Sequence, residues 1–455
     1  MNPIIFRFFI FFSLVMLVCN TNAQTVIVPD WRQNIKISLN SINKSNSLRI
    51  DKDGNCYVLG TTWFADSTKD IVLIKFNPKG EQEWQRIYDN PSHGDDIPTN
   101  MCIDNLGNIW VCGLAKSKTN NADFLVVKFT PDGIPVFDEL YDGRSHLFDC
   151  ATSIVADKQG NIYAAGYETS LDSGINMLVL KYRPDGSTIW HRGFATRQMD
   201  VANQLLTDDS SNVYVCGTCN NGPHTSDIIV QKYDPEGRKK WQLIYDGILS
   251  QNDAGQFISA DDSMNIYISG FTNHVNNRSD IPLIKLNRNG LLLQENFYNG
   301  HIADCGAVSI NAKKNAVYLI GSCNDYNISV NSNFFLTYDK AGHEKKIITA
   351  PEDVQFMKCI EMNGVPFLFG AQTTHPESTL IPFISEIDST SLTWTFSDST
   401  VYGLAHITYI EVVGNDIYFL GDDTGDATGT INVFKYVLKE EDGVVKKKSP
   451  VKKRK

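Results

Sequence analysis

The stretch GNIYAAGYETS, residues 160–170, has relatives elsewhere in the same chain: GNCYVLGTTWF from 54, GNIWVCGLAKS from 107 and SNVYVCGTCNN from 211. Aligned on the glycine that closes the apolar run, the copies place Gly60, Gly113, Gly166, Gly217, Gly270, Gly321, Gly370 and Gly421 at intervals of 53, 53, 51, 53, 51, 49 and 51 residues. Three residues before each of these glycines stands an aromatic: Tyr57, Trp110, Tyr163, Tyr214, Tyr267, Tyr318, Phe367 and Tyr418. A fixed period near fifty marks a propeller, a solenoid or an array.

Each unit holds four short alternating runs separated by turns, the strand pattern rather than the helical one. In the third unit these are ATSIVAD, the turn DKQGN, NIYAAG, then NMLVLKY, the turn RPDG, and STIWHRGF. The second turn reads NPKG, TPDG, RPDG and DPEG in the first four units. Proline presets φ there and glycine accepts the positive φ that ends a tight turn. Four antiparallel strands repeated around a ring make an all-β fold, a single β-propeller of eight four-stranded blades. The eighth unit, ending INVFKYVL at 438, has no fourth strand after it. Trp31 precedes the Ile of IDKDGN by 19 residues, as Trp84 precedes that of IDNLGN. A strand near 31–38 is therefore predicted to complete the last blade, close the ring and leave no open sheet edge. Seven blades plus a stray unit is the alternative, because the sixth and seventh copies are degenerate.

The flanks read differently. Residues 1–23 carry one charge, Arg7, then an apolar run from Phe8 to Val18 and the small-residue stretch Thr21-Asn22-Ala23, a secretory signal peptide cleaved before Gln24. The run is shorter than the roughly 20 residues of a transmembrane helix, and no other segment approaches that length. Val18 stands before Cys19 where a lipid-attachment box wants a small residue, which argues against a lipoprotein. The domain plan is thus a signal peptide at 1–23, the propeller at 24–440 and a basic tail at 441–455. Lys446–Lys455 holds seven basic residues; removing these and Arg7 from the 41 leaves 33 against 52 acidic, a net charge of −19 for 24–445. A body so acidic is no partner for nucleic acid. The tail reads as a solvated charge run.

The pattern D-x-A, D-x-x-G-N-x-Y-x-x-G, D-x-x-x-x-K-[FY]-x-P-x-G-x-x-x-W resembles the bacterial β-propeller repeat called the seven-bladed or SBBP repeat, over essentially all of 31–438. The match weakens in units six to eight, where Thr337 and Ser385 replace the lysine. The resemblance implies an exported propeller, periplasmic, cell-surface or secreted, from a family whose members mostly lack a defined activity. The Ala-Gln cleavage site and the Asp-Ser-Thr triplets at 66, 388 and 398 resemble those of Bacteroidetes exported proteins, where such triplets can be O-glycosylated.

In a propeller the tight turns share one face and the longer loops, such as TTWFADSTKD at 61–70 and LAKSKTNNAD at 114–123, share the other. Variation on a rigid scaffold is where binding residues lie, so a ligand is expected on the loop face. Eight residues before each first-turn position stand Asp96, Asp149, Asp200, Asp253, Asp304 and Asp353, with Asn43 and Leu404 completing the series. These six carboxylates, at the starts of the inner strands, could form a cation site, with Ca2+ as the hard cation that oxygen donors suit. The preferred reading is structural: each aspartate accepts backbone N–H bonds in a repeated turn. The segment DKDGN at 51–55 is a hairpin turn, without the spread ligands and closing glutamate of an EF-hand.

Of ten cysteines, Cys305 and Cys323 lie opposite one another in hairpin register and are the candidate disulfide. Cys216 and Cys219 form a Cys-x-x-Cys without a second ligand pair and are read as structural. His93, His146, His224, His274, His301 and His375 fall on the loop face without a ligand motif, and no nucleophile elbow, zinc motif or phosphate loop is present. Trp31, Trp84, Trp190, Trp241 and Trp394 are placed in fourth strands to pack between blades. They resemble the tryptophan-docking pattern of quinoprotein propellers, but the adjacent Cys-Cys pair of the classical dehydrogenases is missing. The chain is accordingly read as a non-enzymatic scaffold for an envelope or extracellular protein, with no catalytic residues and no cofactor. A glycan- or peptidoglycan-binding module, favoured by Trp63, Phe64 and Tyr167, and a hydrolase or lyase using paired carboxylates are the alternatives.

Overall fold

The computed structural model describes residues 24–441, apart from 39–40, 65–66, 117–120, 197, 221, 223–224, 248, 274–277, 299–303, 326–329, 375–378, 388–391, 399, 402–403 and 424–428. The signal-peptide and tail assignments lie outside the described residues, as does Cys19. Every regular element is a strand, and no described helix is long and apolar enough to cross a membrane.

The third blade shows the unit: strands Cys150–Ala156, Ile162–Ser170, Gly174–Tyr182 and Thr188–Phe194 pair antiparallel in chain order. Six such four-stranded sheets form, and a seventh sheet of eight strands is two blades joined by the single pairing Leu380↔Leu404. The sheets therefore count eight blades. Their buried apolar side chains fall into eight clusters, each shared by two successive blades. One cluster joins Leu48, Val58 and Val72 of the first blade to Tyr418, Leu420 and Val433 of the last, so the ring's ends meet by packing rather than by a continuous sheet.

The N-terminal strand pairs with the last blade, but it spans Gln24–Ile35 rather than 31–38. It runs antiparallel along Thr430–Glu441 from Gln24↔Glu441 to Ile35↔Ile431, with a register shift between Pro29 and Trp31. Pro29 brings no N–H to the ladder, and a bulge is where a strand accommodates that loss. The pairing also carries the last strand to Glu441, one residue past the expected limit of 440.

The repeated letters are all absorbed by this architecture. Asp157 closes its turn by accepting N–H bonds from Gln159 at 3.0 Å and Asn161 at 2.8 Å, and the Asn161 side-chain amide at 2.8 Å. The Tyr163 hydroxyl donates to the Asp157 carboxylate at 3.4 Å and to the Ser211 carbonyl of the next blade at 2.7 Å. Lys181 lies 4.9 Å from the centre of the Tyr163 ring and donates to the Pro235 carbonyl in the next blade's Pro-x-Gly turn. Trp190 donates to the same carbonyl at 3.0 Å, and its ring lies where a Cβ on Gly237 (φ +76°) would stand, 2.8 Å away. The same rivet recurs as Trp31 on Pro78 and Gly80, Trp84 on Pro131 and Gly133, and Trp241 on Arg288 and Gly290. Trp394 has no described side chain.

Candidate functional site

The aspartate series marks the blade junctions. Asp96, Asp149, Asp200 and Asp253 are fully buried, and their backbone N–H groups donate to Lys69, Ala122, Ile175 and Ser226 of the preceding blade at 2.6–2.8 Å. Their carboxylates clasp the loop that leads into the inner strand. Asp96 accepts from Asn90, Asp149 from the Gly143 and Thr169 N–H groups at 2.7 Å, Asp200 from Thr196, and Asp253 from Gly247 and the Thr272 hydroxyl. Asp353 accepts from the Gln372 amide at 2.7 Å, and Asp304 begins its strand half-buried. Asn43 holds Ser41 and Thr62 in the same way. Two of the six join compact carboxylate groups, yet with aspartates of the preceding blade: Asp96 with Asp70 and Asp89, and Asp253 with Asp227 and Asp246. The sequence reading missed those partners because it looked along one repeated position instead of across a junction.

Burial outweighs these donors and pushes Asp149 up to about 6 and Asp96 to about 7. A carboxyl whose folded pKa exceeds its unfolded one stabilises the fold below the unfolded value, and that contribution is lost as pH rises through the folded value. Urea denaturation from pH 4 to 7 is therefore expected to show unfolding free energy falling toward neutral pH, with a shallower slope in Asp149→Asn. A free energy that climbs over that window would contradict the assignment.

His93 and His146 lie in matching loops at positive φ, 55° and 51°, each with Nδ1 2.6 Å from the aspartate four residues before it, Asp89 and Asp142. The carboxylate raises the His146 pKa, chiefly through that hydrogen bond. His224, His274, His301 and His375 lie outside the described residues. Cys305 and Cys323 face one another in register and form a disulfide. Cys216 and Cys219 are both buried and unbridged, and burial raises both thiols, Cys219 to about 12. Such buried thiols are poor nucleophiles.

On the loop face, exposed apolar side chains stand on three segments that are bonded to one another. Phe148 is 46% exposed and stacks on Tyr167 at 6.2 Å. Leu171, 80% exposed at the tip of the adjoining hairpin, has its N–H bonded to the Ser145 hydroxyl at 3.0 Å, which ties the hairpin to the Phe148 loop. Met199, 43% exposed, pairs with Ile175 on the hairpin's other side, where the Ile175 N–H donates to the Gln198 carbonyl at 2.8 Å. Three segments are thus bonded to one another around the hairpin. Trp63 has its ring covered by Lys69 at 5.6 Å, while Phe64 is 51% exposed but distant in the ring from this patch. Exposed Leu106, Ile134 and Leu291 sit on tips of repeated turns on the other face. A cleft of about 760 Å3 opens between the sixth and seventh blades, lined by Val308, Ser322, Asn333, Pro351, Glu352 and Phe356. Nothing in the repeat pattern signals it, because its walls are the degenerate units.

No family model matches the chain, and no curated protein matches it. Similar solved structures include polysaccharide lyase Uly1, 8% identical, TM-score 0.46, covering 86% of this chain and 89% of that one. The β-propeller domain of the Trilobed protease from Pyrococcus furiosus is 10% identical, TM-score 0.45, covering 77% of this chain and 97% of that one. A protein of unknown function from Dyadobacter fermentans is 8% identical, TM-score 0.43, covering 91% and 99%. At such identities the similarity concerns the chain trace and carries no chemistry.

Proposed function

We propose that the chain is an exported β-propeller, its eight blades closed by the N-terminal strand, that serves as a scaffold and binds an envelope or extracellular protein on its loop face. The observation that carries this reading is the set of exposed apolar residues Phe148, Leu171 and Met199 on three segments that hydrogen bonds tie together, with Phe148 stacked on Tyr167. Exposed apolar groups fixed on a rigid frame are what protein interfaces use as anchors. The repeat-defining residues are spent on turns and junctions, which leaves recognition to the loops that differ between blades. Hydrolysis finds little support in the aspartates, since the Asp149 oxygens are engaged by backbone donors and the residue is buried. Glycan stacking is disfavoured where the Lys69 ammonium covers Trp63 and Phe148 covers Tyr167.

Affinity purification of the tagged chain from its native envelope tests this. A stoichiometric protein should be recovered with wild type and with Leu106→Asp, and be lost with the pair Phe148→Asp, Leu171→Asp. Equal recovery with all three, or loss with Leu106→Asp alone, would move recognition off the loop face.

A further inference from the structure

We propose that the junction between the fourth and fifth blades binds a divalent cation of the calcium type through Asp227, Asp246 and Asp253. Asp227 starts the third strand of the fourth blade, Asp246 follows its fourth strand, and Asp253 starts the inner strand of the fifth. One carboxylate oxygen from each lies within 4.8 Å of the other two. Oxygens bound at about 2.4 Å to one cation stand roughly 3–4 Å apart, so small side-chain adjustments bring the three onto one ion.

The second observation is Asp227 itself. It is 3% exposed, its carboxylate belongs to the cluster, and no described residue gives it a hydrogen bond or an ion pair. A buried carboxylate without donors, facing two others, is unfavourable as an anion, so it takes up either a proton or a cation. Asp253 is already fixed by the Gly247 N–H at 2.6 Å and by the Thr272 hydroxyl, so the cradle is built before an ion arrives. Asp246 is exposed, which opens the site to solvent and leaves coordination positions for water.

Comparison with the sister junctions sharpens the inference. In the loops after Asp89, Asp142 and Asp246, His93, His146 and Ser250 stand at positive φ (55°, 51° and 50°), and their N–H groups donate to the carbonyls of Asn90, Gly143 and Gly247 respectively. In two of them the histidine reaches its aspartate at 2.6 Å. In the third, serine stands at that place and supplies no charge. The fourth-to-fifth junction has no imidazole at that place, so its counter-charge comes from solution, as a proton or a cation.

Calorimetric titration of CaCl2 into the chetalor-stripped chain from Gln24 to Lys455 tests this, with MgCl2 as comparison. Wild type should bind Ca2+. Asp246→Asn, at an exposed position, should weaken binding at least tenfold, and Ser250→His, which installs the sister junctions' imidazole, should weaken it as well. Asp142→Asn should leave the binding unchanged. Heats equal to buffer dilution at millimolar Ca2+, or one isotherm shared by wild type, Asp246→Asn and Ser250→His, would overturn the proposal. The result is independent of whether the loop face binds a protein.

Discussion

Replacing Trp190 by alanine is expected to lower the unfolding free energy by about 3–5 kcal/mol, the range for removing a large buried aromatic. The indole is 7% exposed and packs edge-on against Tyr163 at 6.0 Å and tilted against Tyr233 at 6.1 Å. Its N–H is bonded to Pro235, and the Gly237 turn is bare of a side chain so that the ring can lie against it. Truncation thus opens a void at a blade junction and frees a carbonyl that Lys181 alone would still hold. Chemical denaturation followed by tryptophan fluorescence and far-ultraviolet circular dichroism measures the loss. A change below about 1 kcal/mol, typical of an exposed side chain, would show that the tryptophan does not rivet the blades.

A second large effect is expected at the glycine that defines the repeat. A Cβ on Gly166 would stand 2.0 Å from the Cys150 carbonyl oxygen, and the corresponding distances are 2.1 Å at Gly113, 2.0 Å at Gly217, 1.9 Å at Gly270 and 1.8 Å at Gly370. In each blade the inner strand shifts register opposite this glycine, in the third between Ala151 and Ser153, so a bulge presses its backbone onto the neighbouring strand. Gly166→Ala should therefore destabilise by about 1–3 kcal/mol, and Gly166→Val by more, through the overpacking of a close backbone contact. Gly306→Ala is the internal control: nothing lies within 4 Å of its added Cβ, and its stability should stay within about 0.5 kcal/mol of wild type. Denaturant midpoints of the three variants measure both expectations, and an unperturbed Gly166→Val would leave the eightfold glycine without its steric reason.

The fold was legible because each blade repeats its constraints. Asp157, Asn161, Tyr163, Gly166, Lys181 and Trp190 each satisfy a contact that the fold imposes at nearly every junction, so the same letters return at the same spacing. Where a unit meets the constraint differently, the letters vanish. Thr337 has no ammonium to place over Tyr318, and the tyrosine hydroxyl instead donates to Glu361 of the next blade at 3.0 Å. The N-terminal strand was found by the Trp31 interval but begun too late, because the pairing before Pro29 rests on ladder hydrogen bonds that no repeated residue announces. The candidate sites were least legible. Asp253 was visible as one of a series, whereas Asp227 and Asp246 join it only across a junction. The Phe148, Leu171 and Met199 surface brings together three segments through contacts specific to one place in the ring, a place the repeat does not encode.

Site-specific photo-crosslinking in the native envelope tests the central claim most directly. A photoreactive residue at Leu171, on the loop face, should give a discrete adduct with one protein, while the same residue at Leu106, 68% exposed on the turn face, should give none. Adducts from position 106 with none from 171 would contradict recognition through the variable loops.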